Sequence, residues 1–90
     1  SENFQEAERH FGSAETDFAI AEDELEALEN HTTDFPTLEA NTVRMICTAG
    51  ALREASRLMT ESAQAATRGN YSEARSYAEQ ARSEAGRCSS

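Results

Sequence analysis

The sequence predicts an all-α protein, an antiparallel up-down-up bundle of three helices with coiled-coil-like packing. Three observations favour this fold. Apolar residues keep a helical spacing along most of the chain, two short breaks divide it, and its 90 residues include only one Pro and four Gly. A chain of this length forms one domain, here residues 1–90 with 86–90 as a C-terminal tail. We expect helices at about 2–30, 36–68 and 71–86.

The first helix carries an unbroken heptad seam, in which apolar residues recur at alternating steps of three and four. No strand pattern has this spacing. Large Phe alternates with small Ala over the first three repeats, which suits packing against a complementary partner helix. The seam consists of Phe4, Ala7, Phe11, Ala14, Phe18, Ala21, Leu25 and Leu28.

The second helix carries two adjoining seams, which indicate a wide buried face and a central helix with a neighbour on each side. One seam is Leu38, Thr42, Met45, Ala49, Leu52, Ser56, Met59, Ala63 and Ala66. The other is Val43, Cys47, Ala51, Ala55, Leu58, Ser62 and Ala65.

The two breaks contain residues that start and stop helices. Asp34 or Thr33 is expected to cap the second helix, with Thr37 as a competing cap, and Pro36 suits its first turn. Gly69-Asn70 follows the last periodic residue of that helix, as is typical of a helix C-terminus.

The third helix has small residues at nearly every seam position, so two backbones can approach closely along it. Its seam is Tyr71, Ala74, Ala78, Ala81, Ala85 and Cys88, with Tyr77 alongside. It is about half as long as the other two, so one end of the bundle is only two helices thick. The alternative is that the exposed seam closes by homodimerisation.

The two cysteines are predicted to form a disulfide. Reflecting the chain about the Gly69-Asn70 turn places position 88 level with about position 51, one helical turn from Cys47. A Cys47–Cys88 bridge would close a loop of about 41 residues and stabilise the fold by about 4 kcal/mol. It would also imply an extracytoplasmic location: periplasmic, cell-surface or secreted. The alternative is two independent thiols.

The net charge of −9 lies on the first third of the chain. Residues 1–30 hold ten acids and one Arg, whereas residues 31–90 hold seven of each. One interpretation is a solvated face that keeps the protein soluble. The other is a docking face for a basic partner, which electrostatic steering would bring in rapidly. The candidate docking residues are Glu15, Glu22, Asp23, Glu26 and Glu29.

The sequence argues against several function classes. An acidic surface disfavours direct binding of nucleic acid, and no apolar stretch is long enough for a transmembrane segment. His10, His31, Cys47 and Cys88 lack the spacing of metal ligands. We find no Gly-rich phosphate loop or nucleophile elbow, so we predict no enzyme activity, no catalytic residue, no metal and no cofactor.

Residues 55–85 resemble a single tetratricopeptide-like helical hairpin. The matching residues are Gly69, Tyr71, Ala74, Tyr77 and Ala81. Arrays of such repeats need about three copies, so the resemblance implies a helical hairpin and not a peptide-binding groove. The same hairpin is similar to that of uncharacterised short bacterial envelope proteins, often lipoproteins, which implies an envelope location.

These observations favour a non-catalytic structural or adaptor module of an exported or envelope protein, which binds another protein through helical faces. A start at Ser1 fits a processed or excised chain. The alternative function is an acidic inhibitor or nucleic-acid mimic that docks on a basic enzyme or nucleic-acid-binding protein through the first helix. A third option, a small-molecule carrier, predicts a cavity lined by Phe11, Phe18, Leu52 and Met59.

Overall fold

The computed structural model describes residues 2–88, and side chains from residue 3 onward. It contains three helices, α1 (Glu2–Glu29), α2 (Pro36–Thr67) and α3 (Tyr71–Ala85), and no strand within the described residues. Each helix ends within one residue of the position expected from the sequence. The all-α, three-helix fold is therefore confirmed.

The three helices form a flat layer with α2 in the middle. α1 packs along one side of α2 and α3 packs along the other, while the backbones of α1 and α3 do not pack together in the described residues. The Cα atoms extend over 53 × 24 × 12 Å. Packed helix axes lie 8–10 Å apart, so a width of 24 Å fits three helices side by side. The prediction of a central second helix is confirmed.

Polar contacts fix the register of the three antiparallel helices. Gln64 Nε2 of α2 donates to Glu8 Oε2 of α1 over 2.7 Å. On the other side of α2, Ser62 Oγ donates to the Ala74 carbonyl of α3 over 2.6 Å. Because the helices are antiparallel, each step forward along α1 or α3 is level with one step back along α2.

Small side chains make up most of the core. Helix α2 buries mainly Ala, Ser and Gly, which allows both neighbours to approach closely. Leu58 is the large apolar residue of the buried cluster, which it forms with Ala55 and Ala81. Met59 and Tyr77 pack against that cluster and are partly buried.

The predicted wide buried face does not extend over the first half of α2. Leu38, Val43 and Met45 belong to the predicted seams, but they are 49%, 45% and 53% exposed. The reason is the length of α3. Its residues lie level with the second half of α2, so the first half has α1 as its helical neighbour and no third helix. The expectation of burial was wrong at these positions.

The first break is closed differently from the prediction. Phe35 is the N-cap residue of α2 and makes no side-chain cap bond, so the predicted caps Thr33, Asp34 and Thr37 are not used. Pro36 does occupy the first turn. Instead Thr32 organises the turn: it is 1% exposed, and its Oγ1 donates to the Glu29 carbonyl over 2.8 Å.

The second break follows the prediction. Gly69 has φ = +79°, a conformation that only glycine adopts without strain, and it ends α2. Asn70 then caps α3, because its Oδ1 accepts from the Glu73 backbone N–H over 3.3 Å.

Candidate protein-interaction surface

One side of the layer, which we call the ionic face, is covered by charged and amide side chains from α1, α2 and the tail. Three glutamates of α1 lie seven residues apart and therefore share one flank of that helix. Glu8 accepts a hydrogen bond from Gln64 of α2, and Glu22 pairs with Arg53. Glu15 lies near enough to Arg57 to help raise the pKa of that guanidinium. The ionic face consists of Glu8, Glu15, Glu22, Arg53, Glu54, Arg57, Glu61, Gln64 and Arg87.

Glycine in the interior of α2 leaves room for a carboxylate of α1 at the centre of the ionic face. A Cβ on Gly50 would lie 2.8 Å from Oε2 of Glu22 and 3.8 Å from an Nη of Arg87. Glu22 Oε1 also lies 3.1 Å from Arg53 Nε, which is an ion pair whose N–H is not aimed well enough for a hydrogen bond. The Glu22 carboxylate is therefore close to two guanidinium groups.

Helix α2 adds an ion-pair triad of its own on the ionic face. Arg57 donates to Glu54 one turn before it and to Glu61 one turn after it, the latter over 3.1 Å. The hydrogen bond from Arg57 is the main reason that the pKa of Glu54 is lowered, and partial burial opposes it. The same hydrogen bond is the main cause that raises the pKa of Arg57.

The opposite side of the layer, which we call the apolar face, has two open grooves, and no ion pair between described residues lies at its centre. A groove of about 290 Å³ lies between α1 and α2. It is lined by Phe18, Ala21, Leu25, Met45, Thr48, Ala49 and Leu52. A second groove of about 300 Å³ lies between α2 and α3, lined by Ala55, Met59, Ala78, Ala81, Arg82 and Ala85. These two sets of residues define the apolar face.

Helical geometry places the two faces on opposite sides of α2. Met45, Leu52 and Met59 are seven residues apart and form one stripe. Gly50 is two residues from Leu52, which is about 200° around a helix with 3.6 residues per turn. The grooves therefore open away from the ionic face, with the stripe between them.

The structure divides the candidate acidic docking residues into two groups. Glu15 and Glu22 are half-buried against α2, and their charges face Arg57 and Arg53. Asp23 and Glu26 are exposed and Glu29 is half-buried. Part of the negative charge on α1 is thus neutralised within the chain.

The Cys47–Cys88 disulfide is formed, as predicted, with a Cα–Cα distance of 6.0 Å. It ties the tail after α3 to the first half of α2. Arg87, next to Cys88, is thereby brought to the ionic face near Gly50. The last two positions of the predicted tail, 89 and 90, lie outside the described residues.

Sequence reasoning missed two residues that organise this surface. Gly50 stands inside an otherwise periodic helix, where a glycine costs roughly 1 kcal/mol relative to Ala, so it was a signal of a close approach. Thr32 gave no such signal, because a polar residue in a break is ordinarily exposed and its burial depends on how the turn folds.

The residues proposed for a small-molecule cavity separate in the structure. Phe18 and Leu52 line the groove between α1 and α2, whereas Met59 lines the groove between α2 and α3. Among the described side chains, no three His, Cys, Asp or Glu are grouped to hold a metal ion. None of the described helices is long and apolar enough to cross a membrane.

Comparison with protein-family models, with curated proteins and with solved structures finds no match to this chain. The surface is therefore interpreted from its own residues.

Proposed function

We propose that this chain is a non-catalytic structural module that binds another protein molecule through its helices, with the apolar face as the contact surface. The observation that carries the proposal is the position of Met45, which is 53% exposed on the central helix at one end of this face. It continues as a stripe through Leu52 and Met59, between two open grooves. Apolar surface left open beside an exposed large side chain favours contact with another protein.

The contrast between the two faces supports the proposal. The ionic face already satisfies most of its charges within the chain, through pairs such as Glu22–Arg53 and Arg57–Glu61. The grooves of the apolar face are not covered by any described part of the chain. Covering it would remove apolar surface from water, which is favourable by about 25 cal/mol per Å².

We further propose that the module works outside the cytoplasm. The support is the Cys47–Cys88 bridge, because disulfides persist in oxidising compartments and are rare in the cytosol.

Site-specific photo-crosslinking tests the contact surface directly. A photoreactive amino acid is placed at Met45 in one variant and at Val43 in another, and each is expressed in the native host. The two side chains are 53% and 45% exposed, but Val43 lies about 200° from Met45 around α2, on the side of the ionic face. We expect protein adducts at position 45 and not at position 43.

The outcome is read by mass spectrometry of the adducts. A defined protein attached at position 45 supports the module, whether it is a different protein or another molecule of this chain. Equal labelling at both positions, or no adduct at position 45, contradicts the proposal.

The charge distribution favours a second candidate function, the acidic inhibitor that docks on a basic protein. Residues 1–30 carry the whole net charge of −9, and Asp23 and Glu26 are exposed on α1. In that case binding would be lost at high salt and on the change Asp23→Arg, but would survive Met45→Glu. Binding through the apolar face has the reverse pattern.

A further inference from the structure

We propose that the occupant of the apolar face is a second copy of this chain, related to the first by a two-fold axis that runs along α2. The inference rests on the proposed function, because it assigns a partner to the same face. Its argument is the charge on the two edges of that face.

One edge of the apolar face is acidic. Asp17 and Glu24 directly precede the groove residues Phe18 and Leu25 and are exposed. They belong to the flank of α1 opposite to the glutamates of the ionic face, since residues on either side of a heptad seam point to opposite sides. Neither has an ion-pair partner among the described residues.

The other edge carries two arginines, with the exposed Glu79 one turn from each of them. Arg82 lines the groove between α2 and α3, and Arg75 stands seven residues earlier on the same flank of α3. Both are exposed, and neither forms an ion pair with any described residue. The chain therefore carries unpaired acids on the α1 edge and unpaired arginines on the α3 edge.

The register places one of the acids and one of the arginines level with each other along α2. Glu8 lies opposite Gln64, so Asp17, nine residues further along α1, is level with Ala55 of α2. Ala74 lies opposite Ser62, so Arg82, eight residues further along α3, is level with Glu54. Asp17 and Arg82 thus stand at the same level, one on each edge of the face.

A two-fold axis that is parallel to α2 and lies between the two apolar faces brings these charges together. It turns the second copy face to face with the first and places α1 of each copy over α3 of the other. Every residue keeps its position along the direction of α2. Asp17 then meets Arg82 of the second copy, and the symmetry forms the contact twice. The stripes of Met45, Leu52 and Met59 stack on themselves in the centre.

Charge excludes the other simple arrangement. A two-fold axis that also lies between the two faces, but runs perpendicular to α2, would place α1 over α1. Acids would then face acids, and arginines would face arginines. Like charges facing each other across an interface are unfavourable and suppress the wrong pairing. The charges on the two edges therefore favour the dimer whose two-fold axis runs along α2.

The mass in solution tests the inference, and it is measured by sedimentation equilibrium on the oxidised chain from micromolar to millimolar concentration. We expect a concentration-dependent rise from 9.9 kDa to twice that mass. Met45→Glu should abolish the dimer. Val43→Glu, which introduces the same charge at an exposed position on the opposite side of α2, should leave the dissociation constant within about twofold of the wild type.

Charge reversal tests the two-fold axis. Asp17→Arg and Arg82→Asp should each raise the dissociation constant at least tenfold, on the order of the coupling of close interfacial charges, and the double reversal should restore it. Asp23→Arg makes the same charge change on the outer side of α1 and should have little effect. Circular dichroism checks that each variant remains helical.

A monomer at every concentration overturns the second copy as the occupant, as does a dimer that survives Met45→Glu. Failure of the double reversal to restore pairing overturns the axis along α2. If the chain is monomeric but position 45 crosslinks to a different protein, self-pairing fails while the proposed function stands. With neither dimer nor adduct, both fail.

Discussion

The Glu22 carboxylate of α1 lies over Gly50 of α2, with Oε2 only 2.8 Å from the place that a Cβ would take. The absence of a side chain at position 50 lets this acid reach between the helices. From there it pairs with Arg53 over 3.1 Å. Glycine at position 50 thus lowers the helix propensity of α2 but allows an interhelical ion pair at the centre of the ionic face.

Gly50→Ala is expected to be nearly neutral for the free energy of unfolding, within about 0.5 kcal/mol. Alanine gains roughly 1 kcal/mol of helix propensity, but it displaces the Glu22 carboxylate and weakens an ion pair of up to about 1 kcal/mol. Urea unfolding of the variant measures the balance.

Gly12→Ala is the matched control for that measurement. No atom lies within 4 Å of a Cβ at position 12, so the full propensity gain of about 1 kcal/mol should appear there. In a Glu22→Ala background Gly50→Ala should also stabilise by about that amount. If Gly50→Ala lowers the stability in that background, the Glu22 carboxylate is not what offsets the gain in helix propensity.

Reducing the Cys47–Cys88 disulfide should lower the free energy of unfolding by about 4 kcal/mol, because its loop of 41 residues no longer restrains the unfolded chain. That is a large part of the 5–15 kcal/mol typical of a domain. Urea unfolding with and without reductant measures the loss. Two free thiols in the native protein by intact mass, or an unchanged midpoint, would contradict this expectation.

Acid should weaken the fold through Glu54. The pKa of this group is lowered in the folded chain by the hydrogen bond from Arg57, so the folded state binds fewer protons than the unfolded state below the ordinary value of 4.5. The stabilisation is present above that value and is lost as pH falls through the lowered pKa.

Glu54→Gln should remove this part of the pH dependence at a cost of about 0.3–0.5 kcal/mol near neutral pH. The measurement is the unfolding free energy between pH 7 and pH 3 for both proteins. Arg57→Met removes the donor of the hydrogen bond instead and should abolish the same part of the acid dependence. Parallel curves for wild type and Glu54→Gln would argue against the assignment.

Ser62→Ala should loosen the contact between α2 and α3. Ser62 is 8% exposed and its Oγ donates to the Ala74 carbonyl, a hydrogen bond worth about 1 kcal/mol. The exposed Ser83 in α3 is the comparison, because Ser83→Ala changes helix propensity alone. Thermal unfolding should show Ser62→Ala as the less stable of the two; equal melting temperatures would count against the role of the bond.

Much of the fold could be predicted from local pattern. The heptad seam from Phe4 to Leu28 and the stop at Gly69 determine where the helices lie, since both depend on spacing and backbone conformation within one segment. The Cys47–Cys88 bridge could also be predicted from the sequence, because a short turn between antiparallel helices fixes which residues of the two helices lie side by side.

The candidate surface was less accessible from sequence. Met45 and Leu52 follow the same heptad spacing, yet one is half exposed and the other lies deeper, because only the packing of α1 and α3 decides which part of a seam is covered. Likewise Glu15 and Asp23 read as equivalent acids, but only Glu15 faces a guanidinium of α2.

The sequence by itself determined the number, ends and antiparallel order of the helices, because apolar spacing, glycine and proline act over a few neighbouring residues. Only the tertiary structure decided that the helices form a flat layer, in which the backbones of α1 and α3 do not pack together within the described residues. That arrangement depends on the summed packing of small side chains around the central helix, which no single segment encodes. It gives the layer one face closed by ion pairs and one face left open.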